Sequence, residues 1–111
     1  MPNKNNDLKT NFSKNWNNKL DCDCFTTLRL SSSKYQIGQI HEIVLDGKHK
    51  KFAKIVAIKS LYLSQINEFI AHLDTGMDAK ATKELMVRMY SKYSINWETK
   101  QLYLILFKTQ Q

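Results

Sequence analysis

The hydrophobic period of this chain changes twice, and that change restricts the fold more than any other feature. Up to residue 58 the apolar and β-branched residues fall in short runs of strand type. Phe25–Leu30 is one run, Ile40–Leu45 a second and Phe52–Ile58 a third. Asp46-Gly47 between the last two is a hairpin signal, because both residues tolerate the positive φ of a tight turn. Lys48, His49 and Lys50 fill out that loop. From residue 66 the spacing becomes helical. Ile66, Phe69, Ile70 and Leu73 share one face, with Ser64 as N-cap and Gly76 as the stop. Asp78 caps a second helix, whose buried face is Leu85, Met86, Met89, Tyr90 and Tyr93. Leu102–Phe107 is then almost wholly apolar, as a strand covered on both faces requires. Strands, two helices and a closing strand predict an α+β fold: a small mixed β-barrel with two helices packed on one side.

The chain has 111 residues, enough for one domain, and 42% are apolar, enough for a single core. Residues 1–19 form a polar, Asn-rich lead-in carrying Lys4, Lys9, Lys14 and Lys19. Phe12 and Trp16 are four apart, the spacing that aligns side chains on one side of a short helix. The domain proper spans residues 20–111. No apolar run approaches the ~18 residues of a membrane span, and the N-terminus has no secretory core, so a cytoplasmic location is expected. Cys22 and Cys24 are too close for an unstrained disulfide and are read as thiols. With His41, His49 and His72 they show no paired-ligand spacing, so no metal site and no cofactor is predicted.

Seventeen Lys and Arg face ten Asp and Glu, a net charge of +7. Such a surface attracts polyanions: RNA, DNA, nucleotides or anionic lipid. Lys48, Lys50, Lys51, Lys54 and Lys59 form a run with no acid among them. It serves either as a solvated hairpin edge that prevents strand-edge aggregation or as a phosphate track. Tyr35, Phe52, Tyr62 and Trp97 are the aromatics on which bases would stack beside it. In Phe25–Leu30, alternation places Phe25, Thr27 and Arg29 on one face. A ring, a hydroxyl and a guanidinium in line suit a stacked base and a phosphate or carbonyl held bidentately. The same positions also suit a core Phe, a sheet Thr and an Arg paired with a carboxylate.

Three stretches resemble the ASCH family, whose domains share the PUA-like barrel. They are Phe25-Thr26-Thr27-Leu28-Arg29-Leu30, then Lys34-Tyr35-Gln36-Ile37-Gly38-Gln39-Ile40, then the closing strand Leu102–Lys108 with its Phe-Lys end. The resemblance implies a cleft between barrel and helices that holds RNA, a single-stranded nucleic acid or a nucleotide. Thr27, Arg29, Lys48, Lys50, Lys51 and Lys54 are then the binding candidates. Some ASCH relatives are amidohydrolases acting on acetylated cytidine through a Lys, a Thr and a Glu, and others are reported nucleases. The Thr carries over to Thr27. Cys24 stands where the Lys belongs and Ala81 where the Glu belongs, with Glu84 one helical turn away. Thr27, Cys24 and Glu84 are the catalytic candidates on that basis, and efficient deacetylation is not expected.

Three other patterns have simpler explanations or compete with this reading. Asp74-Thr75-Gly76 matches the aspartic-protease triplet, but it follows a helical rather than a strand pattern, so a helix ending at Gly76 accounts for it. Ser31-x-x-Lys34 lacks every partner motif of the penicillin-binding enzymes. Residues 64–93 also fit a helix-turn-helix with basic Lys80, Lys83, Arg88 and Lys92 on its second helix, the alternative for DNA binding. A protein-interaction module is the remaining class.

Overall fold

The closing strand lies inside the sheet, next to its central strand. In the computed structural model, which describes residues 8–110, β5 (Gln101–Gln110) pairs antiparallel with β2 (Cys24–Leu30) on one side and β4 (Lys48–Tyr62) on the other. Its apolar run has Leu102, Ile105 and Phe107 at 0% exposure, because side chains on both faces are covered. β3 (Ile40–Leu45) joins β4 through the two-residue Asp46-Gly47 turn, with φ of 52° and 79° as the hairpin signal requires. β1 (Lys9–Phe12) adds parallel to β3. The result is a curled five-stranded mixed sheet, a half-barrel of order β1-β3-β4-β5-β2, with two helices inserted between β4 and β5.

Two irregularities in β4 help to curl the sheet. Ile43 faces Lys51 while Val44 faces His49, so Lys50 is an extra residue; Ile55 faces Phe107 while Ala57 faces Leu106, so Val56 is another. Each bulge bends its strand and increases local twist. The residues read from sequence as loop, Lys48–Lys50, are therefore strand, and β4 runs on past Ile58 to Tyr62. A charged hairpin arm carries no apolar alternation, so its strand character lies in the pairing with Leu45 and Val44.

Residues 9–12 also depart from the expected lead-in. Lys9–Phe12 is a strand with Thr10 and Phe12 inward, and Trp16 opens a separate 3-10 segment, Trp16–Asp21, so Phe12 and Trp16 share no helix. The remainder of the lead-in, residues 1–7, lies outside the described residues. Thr10 is held by His41. Gln39 Oε1 accepts from the Gln36 amide, which identifies it as a carbonyl oxygen; His41 Nε2–H donates to it at 2.9 Å, and Nδ1 accepts from the Thr10 hydroxyl at 2.9 Å. The ring is buried and stacks on Tyr35.

One core packs Phe12, Leu20, Phe25, Tyr35, Ile43, Ile55, Ile105 and Phe107 together. A second packs Leu28, Leu61 and Leu102 against Ile66, Ala71 and Met86 of the helical side. α1 (Glu68–Thr75) begins at Asn67, whose side chain accepts from the Ile70 amide, rather than at Ser64, which lies in a 3-10 turn. α1 ends at Gly76, φ 80°, where a Cβ would come within 3.3 Å of Asn17 Oδ1. α2 (Ala79–Met89) is capped by Asp78 as expected. The buried faces differ from the sequence pattern. Phe69 is 80% and Leu73 69% exposed, and Asp74 and Thr75 point inward instead. Met89 and Tyr93 are likewise exposed, while Thr82, Leu85 and Met86 are buried. Among the described residues no helix is long and apolar enough to cross a membrane.

Burial, with the nearby charge of Lys34 adding to it, lowers the pKa of His41 to about 4 from an ordinary 6.5. The unfolded chain therefore binds the extra proton first. Stability from this group is complete above pH 6.5 and is lost as pH falls toward 4, by at most about 1.4 kcal/mol per pH unit and roughly 3 kcal/mol in all. Urea melts between about pH 7.5 and 4.5 should show this slope. His41→Asn should start from a lower stability and lose the slope; an unchanged slope in that variant would place the titrating group elsewhere.

Candidate binding cleft at the open seam of the sheet

β1 and β2 are the two edges of the half-barrel and share no ladder. Side chains bridge the gap instead. Arg29, on β2, sends its NH2 group to the Asn11 carbonyl of β1 at 2.8 Å and its Nε–H to Thr27 Oγ1 at 3.0 Å. Its guanidinium lies 4.6 Å from the centre of the Phe12 ring. Phe12 meets Phe25 edge-on, and Phe25 stacks on Phe107. The alternation read from sequence is thus correct: Phe25, Thr27 and Arg29 share a face. Arg29 pairs with a backbone carbonyl and a hydroxyl rather than with a carboxylate.

Beside this bridge lies a cleft whose cavity is about 40 Å³, well below the ~300–1,000 Å³ typical of small-molecule sites, so a larger ligand would lie over its mouth. Phe12 and Trp16 wall it from the β1 side, and Leu85, Met86 and Met89 from α2; Thr27, Arg29, Lys19 and Asp74 supply its polar groups. Lys19 and Asp74 form a buried ion pair at 2.9 Å, their side chains 7% and 5% exposed. The same Asp74 Oδ1 accepts from Thr26 Oγ1 at 2.8 Å. Asp74 sits in the last turn of α1, which closes on Gly76 as expected for that triplet. Thr75 Oγ1 bonds the Ala71 carbonyl and the Thr82 hydroxyl, joining α1 to α2. No buried side-chain N or O atom among the described residues lacks a partner.

The cleft is electropositive. Burial lowers the Lys19 pKa against the pull of Asp74, and the nearby Arg29 charge lowers it further; Lys34 is lowered by burial and then by Arg29. Lys19 and Arg29 thus lie together in the cleft, with Lys34 near Arg29 but outside the lining, and Asp74 is the only carboxylate among the described lining residues. Arg29 uses two of its five N–H donors on Asn11 and Thr27, with the Tyr35 hydroxyl also near it, and Lys19 uses one of its three on Asp74.

Of the residues singled out from sequence, Thr27 and Arg29 line the cleft; Cys24 and Glu84 do not. Cys24 is an exposed thiol opposite Lys108 at the start of β2, and Glu84 is exposed on α2 beside Lys83, Val87 and Arg88. The structure does not bring either to Thr27. In the hairpin, Lys50 bonds Asp21 at 2.7 Å, and Lys51 bonds the Cys22 carbonyl at 2.9 Å and lies over Phe25. Lys48 and Lys54 are exposed, without an acidic partner among the described residues. Tyr35 is core, Trp97 packs against Tyr90, Tyr62 is half-buried, and Phe52 is exposed beside His49. Sequence reasoning did not single out Lys19, Asp74 or Trp16 for this cleft. Nothing in the sequence marks Lys19 and Asp74 as a buried pair or Trp16 as a cleft residue. Compared with protein-family models, curated proteins and solved structures, the chain matches none.

Removing one partner of a buried ion pair leaves a charge without compensation and typically costs about 3–5 kcal/mol. Asp74→Ala should show a drop of that size in urea denaturation, and Lys19→Met/Asp74→Leu a much smaller one. A cost under about 1 kcal/mol for Asp74→Ala would show that the pair contributes little to the fold.

Proposed function

We propose that this chain binds a nucleotide, free or as part of RNA or another single-stranded nucleic acid, at the mouth of the seam cleft, and that the half-barrel is a PUA-like domain of the ASCH type. The observation that carries the binding reading is the meeting of Lys19 and Arg29 in the cleft where β1 and β2 part, with apolar and aromatic walls alongside and Lys34 near Arg29 outside the lining. Cations satisfy phosphate or carbonyl oxygens, and apolar walls accept a base. The ASCH resemblance supports the same class of ligand. The Trp16–Asp21 segment runs from this cleft to the hairpin, where Asp21 meets Lys50. A strand leaving the cleft can therefore follow it toward Lys48 and Lys54. α2, the alternative DNA-binding element, presents only an open surface around Lys83, Glu84, Val87 and Arg88, with an acid among its cations.

A second reading rests on one observation. The amidohydrolases among ASCH proteins need a Lys, a Thr and an acid, and two of these are missing at the matching positions. Lys19 and Asp74 supply the same residue types in the cleft beside Thr27. Their resting arrangement favours binding over turnover. Lys19 donates to Asp74, and Thr27 Oγ1 accepts from Arg29, so no free base stands at the hydroxyl.

Two experiments check these readings. Titration of a labelled single-stranded RNA across a salt series should give log affinity falling linearly with log salt. Lys48→Ala/Lys54→Ala should flatten that slope by about 1.4, near 0.7 for each phosphate no longer neutralised. An unchanged slope would move the binding surface to α2. Incubation with acetylated cytidine should show binding without turnover at ordinary enzyme rates. Turnover abolished by both Thr27→Val and Lys19→Met would instead establish the amidohydrolase reading.

A further inference from the structure

The cleft contains an aromatic ring that the bridging network does not use. Phe12 is committed: Arg29 lies 4.6 Å from its ring centre, Lys19 5.6 Å, and Phe25 meets it edge-on. Trp16 lines the same cleft, is only half-buried, and takes part in none of those contacts. Lys14 Nζ lies 4.6 Å from the centre of the Trp16 ring system. A cation over an indole is held by the ring's negative face and also braces the ring's orientation. Met89, exposed on α2, belongs to the opposite wall. A half-buried indole with guanidinium and ammonium donors in the same cleft is the chemistry of a stacked base with its polar edge and phosphate held nearby.

Resting on the binding reading above, we infer that Trp16 is the stacking platform of the cleft and that its occupant is an unpaired nucleobase bearing a phosphate. The cavity itself is about 40 Å³, so a base lies over the indole at its mouth, which it can do only after leaving its own stack. The base therefore comes from a free nucleotide, a strand end or a loop, and duplex is excluded at this site. Trp16 also replaces the aromatics that the hairpin suggested, of which Tyr35 and Trp97 are engaged in the two cores or their margins.

The test uses the two tryptophans. Trp97 packs with Tyr90 against the helical core, outside the cleft lining, so Trp97→Phe leaves Trp16 as the single indole reporter. That protein is titrated with an oligouridine of eight nucleotides, an abasic oligomer of the same length, uridine monophosphate, and a blunt RNA duplex. Oligouridine should quench Trp16 emission, and the abasic oligomer and duplex should bind, if at all, without quenching. Quenching by the monophosphate at comparable concentration identifies a free nucleotide as the occupant; quenching by the oligomer alone identifies a strand. In the otherwise wild-type chain, Trp16→Ala should weaken oligouridine binding roughly 5- to 100-fold, the range of one base–aromatic stack, and leave abasic binding unchanged. Trp16→Phe, which keeps a ring, should recover most of the affinity. Equal weakening toward oligouridine and abasic oligomer, or oligouridine binding without quenching, overturns the platform assignment while the binding reading stands. Failure of oligouridine, abasic oligomer and monophosphate alike to bind at low salt overturns the binding reading itself.

Discussion

The Asp74 carboxylate joins three segments that share no ladder and no helix. One oxygen accepts from Lys19 of the Trp16–Asp21 segment and from Thr26 of β2, while the residue itself belongs to the last turn of α1. Burying an ammonium and a carboxylate is costly unless each is compensated by the other and by further hydrogen bonds. Here that compensation exists only when all three segments are in place. The consequence for α1 is an inverted amphipathicity. Asp74 and Thr75 turn inward because their polar atoms find partners there, and Phe69 and Leu73 are left in solvent. The consequence for the cleft is a fixed ammonium that no surface lysine would provide.

The same geometry explains why the open side of the half-barrel keeps a cleft. Two sheet edges that met in register would satisfy their backbone groups mutually and leave no space. β1 and β2 meet instead through a guanidinium, a phenyl ring and a hydroxyl. Side chains bridge a wider gap than a hydrogen-bonded ladder, at about 4.8 Å between strands, can. They also leave donors over, because Arg29 has more N–H groups than Asn11 and Thr27 consume. Structural closure and the unassigned donors thus reside in one residue, and changes at Arg29 affect both.

β1 shows how little local signal a strand needs once tertiary partners exist. Four residues with two inward side chains are too few for a periodicity argument, yet Thr10 is fully buried because His41 accepts its hydroxyl hydrogen. His41 in turn is kept neutral by burial and oriented by Gln39. The Lys-rich hairpin is a similar case. Its charge run reads as loop, but pairing with Leu45 and Val44 makes it strand, and Asp21 and the Cys22 carbonyl hold two of its lysines.

The α+β class, the β2 and β3 runs, the Asp46-Gly47 turn, the Gly76 stop, the Asp78 cap and the doubly covered β5 were all legible in the amino-acid order. Each of these is local: a period of two, a positive φ, a side chain capping its own helix, or an apolar run too dense for one-sided burial. Thr27 and Arg29 were also legible as neighbours on one face, since alternation needs no partner. Which face of α1 is buried, that residues 9–12 are strand, and which polar residues meet in the cleft became definite only in three dimensions. Cys24 and Glu84 were selected by position along the chain and lie outside the cleft, whereas Lys19 and Asp74, 55 residues apart, meet inside it. Burial of a polar group is decided by whether a distant partner compensates its desolvation, and that partner is set by the fold as a whole.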